Sequence, residues 1–308
     1  MLSEILDEHR CFKLILGASN QNLEEIEELS YIYSLAGANL FDFSADKEVM
    51  TAVKSGIKMS GKSGIYLCTS VATEEDIHIS KAIINGNCSK CGLCEKVCPQ
   101  GAIKDFKVLT KMCVGCKKCF DVCQNNAIEF EYLEQNYVET LPSLIDLGLD
   151  SVEYHIGISD IDQIISRWKL LNDIVPDSFI VSVSISRNLF NDKKLLELLK
   201  RLLKDRKPYT TIIQADGKSI SGGDDTFSST LQTVSFAQLI REQNLPVYIT
   251  LAGGTNSKSA ELAKICNVDV NGVGVGSYAR KIVRESLTEQ EKIAAAKNLV
   301  QKTFEFLK

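Results

Sequence analysis

The stretch CSKCGLCEKVCPQGAI at residues 88–103 is repeated, with the same cysteine spacing, as CVGCKKCFDVCQNNAI at residues 113–128. Both stretches carry the spacing C-x2-C-x2-C-x3-C, and their small and apolar positions repeat as well, which indicates an internal duplication. Eight cysteines in two such runs supply two sets of four soft thiolate ligands, the number that two four-iron clusters require. The pattern therefore predicts a two-cluster iron–sulfur module with a role in electron transfer or redox sensing.

The spacing also predicts how the cysteines are shared. In the bacterial C-x2-C-x2-C-x3-C-P run, the last cysteine crosses over to ligate the other cluster. The predicted metal ligands are Cys88, Cys91, Cys94 and Cys123 for one [4Fe-4S] cluster, and Cys113, Cys116, Cys119 and Cys98 for the second. Pro99 follows the last cysteine of the first run, in agreement with the pattern, whereas Gln124 replaces the proline in the second run. Structural zinc and disulfides are the alternatives, and two interleaved sets of four favour clusters over both.

Composition indicates a globular protein of a reducing compartment. The chain has 308 residues, 44% hydrophobic and 24% charged, with a net charge of −5, which suits one large domain and a small one. The acidic amino terminus lacks an apolar signal region, and no apolar run reaches the length of a membrane span. No Lys/Arg stripe indicates a nucleic-acid partner. We therefore expect a cytoplasmic protein, and we expect Cys68 and Cys266, in apolar contexts, to be buried free thiols.

Outside the cysteine region, short apolar segments alternate with amphipathic helical segments, as in parallel βα units. Strands are predicted at residues 13–18, 38–43, 63–69, 151–156, 178–185, 210–214, 246–252 and 269–276. Helices are predicted at residues 22–36, 47–59, 137–147, 161–172, 192–204, 229–243 and 257–266 and from about residue 288. Asp160, Asn191 and Asn256 are the expected N-caps.

Eight βα repeats in about 250 residues favour an α/β fold of the (β/α)8 barrel type, with a doubly wound sheet as the alternative. The cysteine region interrupts the repeats after the third strand. The predicted domains are the first part of the barrel at residues 1–85, an inserted α+β dicluster ferredoxin-like module at residues 86–131, and the remainder of the barrel at residues 132–308. Because insertions in βα loops emerge at the carboxyl-terminal face, the clusters are expected near the barrel mouth.

The loops after the seventh and eighth strands are rich in glycine: LAGGTNS at residues 251–257 and GVGVGSYARK at residues 272–281. Many barrels build a phosphate site from these two loops and the helix that follows. The candidate cofactor-binding or ligand-binding residues are Gly253, Gly254, Thr255, Gly276, Ser277 and Arg280. A small anionic ligand is the predicted occupant, and tight βα turns without a ligand are the alternative.

The loop after the sixth strand, QADGKSISGGDDT at residues 214–226, is polar and longer than a turn requires. Its carboxylates, lysine and hydroxyls suit the orientation of a small polar ligand or a proton transfer, and ordinary turn chemistry is the alternative. His155, in the fourth barrel strand, is a further candidate proton donor. The candidate catalytic residues are Asp216, Lys218, Ser221, Asp224 and His155.

One motif match is rejected. Residues 56–63, GIKMSGKS, fit the phosphate-loop expression G-x4-GK[ST]. A phosphate loop leaves a strand and opens a helix, whereas here a predicted helix precedes the segment and a predicted strand follows it. The segment is therefore predicted to be a helix-to-strand turn.

The whole combination resembles a known family. A dicluster segment followed by DGKSISG at residues 216–222, LAGGTN at residues 251–256 and GVGVGSYARK is similar to the light-dependent period protein A family of cyanobacteria. These are iron–sulfur proteins linked to redox input into the circadian clock. The sixth loop departs from the family pattern by one extra glycine before Asp224. The resemblance implies redox sensing that modulates clock period or light-responsive expression, with redox partners or clock-input regulatory proteins, and it implies no established reaction.

Two classes of function stay open from the sequence. In the first, the protein is a redox sensor or electron carrier whose cluster state changes how a partner protein binds. In the second, the barrel is an iron–sulfur oxidoreductase that reduces a small phosphate-bearing or carbonyl substrate, with flavin as a candidate cofactor held at the barrel phosphate site. The absence of a dinucleotide fingerprint in a first βα unit disfavours a nicotinamide enzyme.

Overall fold

The barrel wall is a closed ring of parallel strands. The computed structural model of the chain describes residues 1–73, 76, 79–132, 136–217 and 225–307. Its strands are β1 Cys11–Gly17, β2 Leu40–Ser44, β3 Tyr66–Ala72, β4 Ser80–Ile84, β5 Ile103–Lys104, β6 Lys107–Val108, β7 Ile128–Tyr132, β8 Ser151–Ile156, β9 Ile180–Ser186, β10 Thr211–Asp216, β11 Tyr248–Ala252 and β12 Gly272–Val275. The barrel order is β1-β2-β3-β8-β9-β10-β11-β12, and β12 pairs with β1 to close it. All eight predicted barrel strands are present, which confirms the predicted barrel fold.

Helices follow the barrel strands, and further short helices lie at the amino terminus and in the cysteine region. They are α1 Leu2–Asp7, α2 Leu23–Ala36, α3 Lys47–Ser60, α4 Leu93–Val97, α5 Lys118–Asp121, α6 Tyr137–Asp146, α7 Ile161–Ile174, α8 Asp192–Leu202, α9 Phe227–Arg241, α10 Ser259–Ile265, α11 Ser277–Arg284 and α12 Glu289–Leu307. Each predicted helix is present within a few residues of its expected bounds. Among the described residues, no helix is long and apolar enough to cross a membrane.

Two of the three predicted N-caps are confirmed. Asp160 caps α7 by accepting hydrogen bonds from two backbone amides, and Asn191 caps α8 by accepting one from Lys194. The prediction for Asn256 is wrong, because α10 begins only at Ser259. The Asn256 side chain instead accepts a hydrogen bond from the backbone amide of Lys258 and donates to the Thr226 carbonyl. It therefore ties the loop after β11 to the start of α9.

The short helix α1, which the sequence pattern did not predict, lies at the amino-terminal end of the barrel. Its Leu2 and Leu6 pack in one cluster with side chains at the strand starts, among them Cys11 and Cys68. This burial confirms the prediction for Cys68. The prediction for Cys266 is wrong, because Cys266 follows the last turn of α10 and is exposed.

The rejected phosphate-loop match lies where a helix meets a strand. Gly56 is inside α3, and Lys62 and Ser63 are exposed in the turn before β3. A Cβ at Gly56 would lie 2.3 Å from the Glu27 carbonyl oxygen of α2, so the glycine serves the close packing of α2 against α3. The helix-to-strand interpretation of this segment is confirmed.

The cysteine region is inserted between β3 and α6. Strands β4 and β7 pair antiparallel at its base, and β5 and β6 form a short hairpin between the two cysteine runs. The short helix α4 carries Cys94 of the first run, and α5 carries Cys119 of the second. The insertion has its own core, in which Ala82, Ala102, Ile103 and Ile128 pack with cysteines. Residues 80–132, here called the cysteine module, therefore fold as a small α+β unit on the barrel.

Candidate functional site

The two cysteine runs adopt the same backbone, displaced by 25 residues (113 − 88 = 25). Left-handed conformations recur at three pairs of equivalent positions, which are Lys90 and Gly115, Gly92 and Lys117, and Gly101 and Asn126. The Ala102 amide donates to Cys98 Sγ at 3.2 Å, and the Ala127 amide donates to Cys123 Sγ at 3.3 Å. The duplication in sequence is therefore also a duplication of conformation, including the amide-to-sulfur hydrogen bonds that tune cluster potentials.

Cys98 leaves its own run and joins the second one. It lines one small cavity together with Cys113, Cys116 and Cys119. Most of the other side chains around this cavity are apolar, and the remaining lining residues are Ala82, Gln100, Ala102, Ile103, Val114, Lys117 and Phe130. The structure thus brings together the four cysteines that the spacing assigns to one cluster, and we call this the inner cysteine set.

Ionised thiolates of the inner cysteine set would repel one another. Burial raises the pKa of Cys119 to about 12, and the negative charges of Cys116 and Cys113 act in the same direction. Burial also raises the pKa of Cys116. Crowded and buried thiols ionise together only where metal ions compensate their charge. Four soft thiolate donors around one apolar cavity, with amide hydrogens at the sulfurs, fit an iron–sulfur cluster.

The other set lies on the solvent side of the module. Cys88, Cys91 and Cys94 surround the start of α4; Cys91 is exposed and Cys94 is buried. Burial raises the pKa of Cys94, and the charges of Cys88 and Cys91 contribute to the increase. Cys123 occupies, in the second run, the position that Cys98 has in the first. We call these four cysteines the outer cysteine set.

Buried polar contacts fix the module on the barrel mouth. Lys81 of β4 is buried, and its Nζ donates to the carbonyls of Ser19, in the loop after β1, and Cys113, the latter at 2.7 Å. The backbone amide of Gln21 donates to the Lys111 carbonyl at 2.9 Å. These bonds place the inner cysteine set, rather than the outer one, against the barrel.

A second group of bonds comes from the end of α11. Arg284 donates to the Pro99 carbonyl at 2.9 Å and to the Gln100 side chain, and it forms an ion pair with Glu25 of α2. Pro99 and Gln100 follow directly after Cys98. The cysteine that crosses between the runs is therefore held from the barrel side.

The carboxyl ends of the barrel strands enclose a cavity of about 130 Å³. This volume suffices for several water molecules or a small ligand. Its lining is contributed by the ends of the barrel strands, the loops that follow them, and Val114 of the module. It includes eight of the predicted site residues, namely His155, Asp216, Gly253, Gly254, Thr255, Gly276, Ser277 and Arg280. The other predicted catalytic residues, Lys218, Ser221 and Asp224, lie outside the described residues.

A buried charge network forms part of the wall of this cavity, since Asp42, Glu153 and Gln214 are among its lining residues. Lys13 Nζ forms ion pairs with Asp42, at 3.1 Å, and with Glu153, and it donates to Gln214 Oε1 at 3.1 Å. Burial raises the pKa of Asp42 to about 6, although the ammonium of Lys13 opposes that increase. The sequence analysis missed this network. The signal was one charged residue in each of three otherwise largely apolar strand segments, since an inward-facing charge in a barrel strand requires a buried partner.

His155 lies between two carboxylates at the cavity wall. Its Nδ1 is 2.6 Å from Asp76 Oδ2, and its Nε2 is 3.7 Å from Asp216 Oδ2. Burial alone would lower the pKa of His155, but these carboxylates outweigh it and raise the pKa well above its usual value. Asp76 fits because Gly157 has no side chain; a Cβ there would lie 2.3 Å from the Asp76 carboxyl carbon. The two carboxylates therefore favour the protonated form of His155.

Two polar atoms at the cavity lack hydrogen-bond partners among the described residues. They are Oδ1 of Asp216 and Nε of Arg280, on side chains that are 4% and 5% exposed. Arg280 Nη1 donates to the Ile15 carbonyl at 2.6 Å. Burial lowers the pKa of Arg280 to about 10, so the guanidinium stays charged. The cavity thus offers one acceptor and one cationic donor to a bound molecule.

Fold and site together define a class: a (β/α)8-barrel protein with an inserted iron–sulfur cluster-binding module. The model of the light dependent period A C-terminal domain matches residues 143–308, and that of the LdpA Fe-S cluster-binding domain matches residues 85–133. Light dependent period A of Synechococcus elongatus is 30% identical over 300 residues, covering 92% of this chain and 84% of that protein. The chain belongs to the light dependent period A family.

Solved structures show the same barrel at much lower identity. A structure of Mycobacterium tuberculosis tryptophan synthase covers 98% of this chain and 97% of its own at 10% identity, with a TM-score of 0.53. A ligand-free form of a mutant of that enzyme covers 98% of each chain at 9% identity, with a TM-score of 0.51. At such identities the likeness concerns the fold alone.

Proposed function

We propose that this protein binds two [4Fe-4S] clusters and acts as a redox sensor or electron carrier. It feeds light-responsive regulation and the input of the circadian clock, as the name of its Synechococcus elongatus relative suggests. Its partners are redox proteins or clock-input regulatory proteins whose binding depends on the state of the clusters.

One observation carries the proposal: Cys98 lies with Cys113, Cys116 and Cys119 around a single cavity. A cysteine that crosses from one run to the other is what the two-cluster pattern requires. A single zinc site built from one run would not need that crossing. The repeated amide-to-sulfur hydrogen bonds of Ala102 and Ala127 support two equivalent cluster sites.

The module also offers a route for electrons between solvent and barrel. The outer cysteine set includes the exposed Cys91, and the inner set lies behind Val114 at the barrel cavity. Electrons can therefore enter from a partner at the exposed side and reach the side that faces the barrel. This arrangement suits a carrier or a sensor, since the partner and the barrel would contact different ends of the module.

The test is metal analysis of anaerobically purified protein. We expect about eight irons and a similar amount of sulfide per chain, with paramagnetic signals that change on dithionite reduction. No bound flavin is expected for a sensor or carrier. Zinc in place of iron, or about four irons per chain with all eight cysteines intact, would contradict the two-cluster proposal.

A second candidate function is that of a barrel oxidoreductase, and the barrel cavity favours it. His155, whose protonated form the neighbouring carboxylates favour, is the candidate proton donor beside Asp216, while Arg280 and the first amides of α11 suit an anionic group. Such residues would orient a small phosphate-bearing or carbonyl substrate and supply a proton to it. Flavin, when bound, would mediate between one-electron and two-electron chemistry.

Flavin content and substrate-dependent reoxidation separate the two candidates. Purified enzyme of this kind would carry flavin, or its reduced form would be reoxidised faster when a suitable phosphate-bearing or carbonyl compound is added. In the His155→Gln variant that acceleration should be lost while cluster content is unchanged. If reoxidation is equally slow with every compound and flavin is absent, the sensor or carrier function is favoured.

A further inference from the structure

Val114 is a shared wall between two cavities. It lines the barrel cavity and also the cavity of the inner cysteine set. It also lies close to the end of β1: a Cβ placed on Gly17 would be 3.7 Å from Val114 Cγ1. One side chain therefore separates any molecule in the barrel cavity from the group held by Cys98, Cys113, Cys116 and Cys119.

Two buried cationic side chains, Lys81 and Arg280, lie near Val114. On one side, Lys81 joins the carbonyl of Cys113, the residue before Val114, to that of Ser19 in the barrel. On the other side, Arg280 is buried between the barrel cavity and the module, close enough to Cys116 for their charges to interact. A change of charge in the inner cysteine set therefore acts on the barrel cavity through the wall that contains Val114.

The chemistry of the barrel cavity identifies the class of molecule that fits it. Arg280 brings a buried positive charge whose Nε lacks a partner, next to the first amides of α11. Gly253 and Gly254, both at positive φ, contribute backbone without side chains. Asp216 Oδ1, which lies against Gly253, lacks a donor among the described residues. A small anion that also carries a hydroxyl group satisfies both Arg280 and Asp216.

We propose that the barrel cavity binds a small hydroxylated phosphate or carboxylate, and that this binding is coupled through Val114 to the redox state of the inner cluster and not of the outer one. The inference rests on the proposed two-cluster function. A low-potential one-electron donor supplies the electron, and no bond forms or breaks. The added negative charge behind Val114 weakens the binding of an anion, and by reciprocity the bound anion makes reduction of that cluster less favourable.

The duplicated sequence provides an internal control for this proposal. Ser89 occupies, in the first run, the position that Val114 has in the second (89 + 25 = 114). Ser89 is exposed, and its hydroxyl accepts a hydrogen bond from Asn125 Nδ2 at 2.5 Å. It therefore faces solvent where Val114 faces the barrel, so the outer cluster lacks this shared wall.

The experiment uses full-length protein with both clusters, and three probes: inorganic phosphate, glycerol 3-phosphate and glycerate. Their dissociation constants are measured by calorimetry in the oxidised protein and in protein reduced at a mediated electrode, since sulfite from dithionite is itself an anion. We expect the hydroxylated probes to bind more tightly than phosphate, and reduction to weaken binding by roughly five- to twentyfold. Glycerol 3-phosphate against glycerate tells whether a phosphate or a carboxylate is preferred.

The reciprocal measurement is a potentiometric titration followed by electron paramagnetic resonance. A tenfold coupling appears as a shift of about 59 mV to lower potential for one cluster in the presence of the probe. In Cys91→Ala protein, which lacks the outer cluster, the shift should persist. The Val114→Phe variant should weaken probe binding at least tenfold, because the larger ring fills the cavity wall, and Ser89→Phe should leave binding unchanged.

The outcomes separate the coupling from the functions it rests on. Equal probe affinity in both redox states, or equal shifts of both clusters, would overturn the coupling while the two-cluster function stands. Absence of binding by all three probes would overturn the ligand site together with the coupling. A protein that contains fewer than two clusters is detected by its iron content before any probe is added, and this would overturn the proposed function itself. If the Val114→Phe variant does not assemble its clusters, the Arg280→Lys variant tests the same site, and Lys281→Gln is its control.

Discussion

The two halves of the cysteine module share one spacing and one backbone, but their surroundings differ. In the first half Cys91 is exposed and Leu93 is 39% exposed, so solvent covers this side. In the second half Cys113 and Cys119 are buried, and Val114 reaches the barrel cavity. The duplicated pattern determines where the cysteines lie, and the barrel determines what each half contacts.

The same difference has electrostatic consequences. Exposure to solvent, amide hydrogen bonds and nearby charges all change the potential of an iron–sulfur cluster. The inner set lies near the buried cations Lys81 and Arg280, whereas the outer set borders water. The two proposed clusters are therefore expected to have different potentials, and only the inner one is expected to respond to a molecule bound in the barrel.

Replacing one of the two crossing cysteines should have the largest effect, because it should remove one cluster and leave the other. Cys98→Ala should remove the cluster of the second half, and Cys123→Ala should remove that of the first, each lowering the iron content from about eight to about four. Iron analysis and electron paramagnetic resonance of the two variants measure this. If Cys98→Ala spared the cluster of Cys113, Cys116 and Cys119 and lost the other, the crossed assignment would be wrong.

Loss of the Lys81 ammonium should loosen only the half that contacts the barrel. Lys81→Met leaves the carbonyls of Ser19 and Cys113 without their donor inside the protein, a cost of about 2–3 kcal/mol. Hydrogen exchange at the Ala82 amide, which donates to Cys113 Sγ, should become faster. Lys104→Met, at an exposed site in the hairpin of the module, is the control and should leave this exchange unchanged. Equal effects of both variants would contradict the docking role of Lys81.

His155 lines the barrel cavity together with Val114, and its raised pKa predicts a stability that depends on pH. Its folded-state pKa is raised, so the stabilisation is full below the unfolded value near 6.5 and is lost as pH rises through the folded value. The free energy of unfolding of the wild type should exceed that of His155→Gln most at pH 6. The difference should shrink by up to about 1.4 kcal/mol per pH unit above 6.5. Urea unfolding at pH 6, 7.5 and 9 measures it.

Removing the partner of His155 serves as the check on that prediction. Asp76→Asn should flatten the same pH profile, because both substitutions disrupt one buried ion pair. A difference between wild type and His155→Gln that stays constant from pH 6 to 9 would show that the histidine is not held as a cation.

The smallest effect is expected where the two halves are most alike. Gly101 and Asn126 stand at equivalent positions with φ of 59° and 50°. Gly101→Asn should therefore cost less than about 1 kcal/mol and retain full iron content, since Asn tolerates this conformation. Gly101→Val should cost more, because a β-branched residue is strained there. Similar losses for Asn and Val, measured by iron retention during urea titration, would weaken the backbone equivalence.

Much of the fold could be predicted from sequence because its signals are local. The eight barrel strands, the helices between them and the insertion after the third strand follow from periodicity and cysteine spacing over short windows. The position of the N-cap of α10 and the exposure of Cys266 could not be predicted in this way. Both depend on how the loop after β11 and the end of α10 meet the rest of the protein.

The candidate site was only partly accessible from sequence for the same reason. The glycine-rich loops and Asp216 were found because barrel active sites recur at strand ends. Asp76, Lys81 and Val114 carry no local signal. Each gains its role from a contact with a distant segment, such as that of Asp76 with His155, 79 residues away.

The sequence by itself determined the eight thiol positions, their duplication and the number of βα units, because ligand spacing and hydrophobic period are properties of neighbouring residues. Only the tertiary structure decided which half of the module faces the barrel and which charged side chains, such as Lys13, Asp42 and Glu153, form ion pairs inside it. Lys13 and Gln214 are 201 residues apart, and closure of the barrel brings them to 3.1 Å. Such contacts form because a closed parallel ring points the side chains of all its strands toward one axis, whatever their distance along the chain.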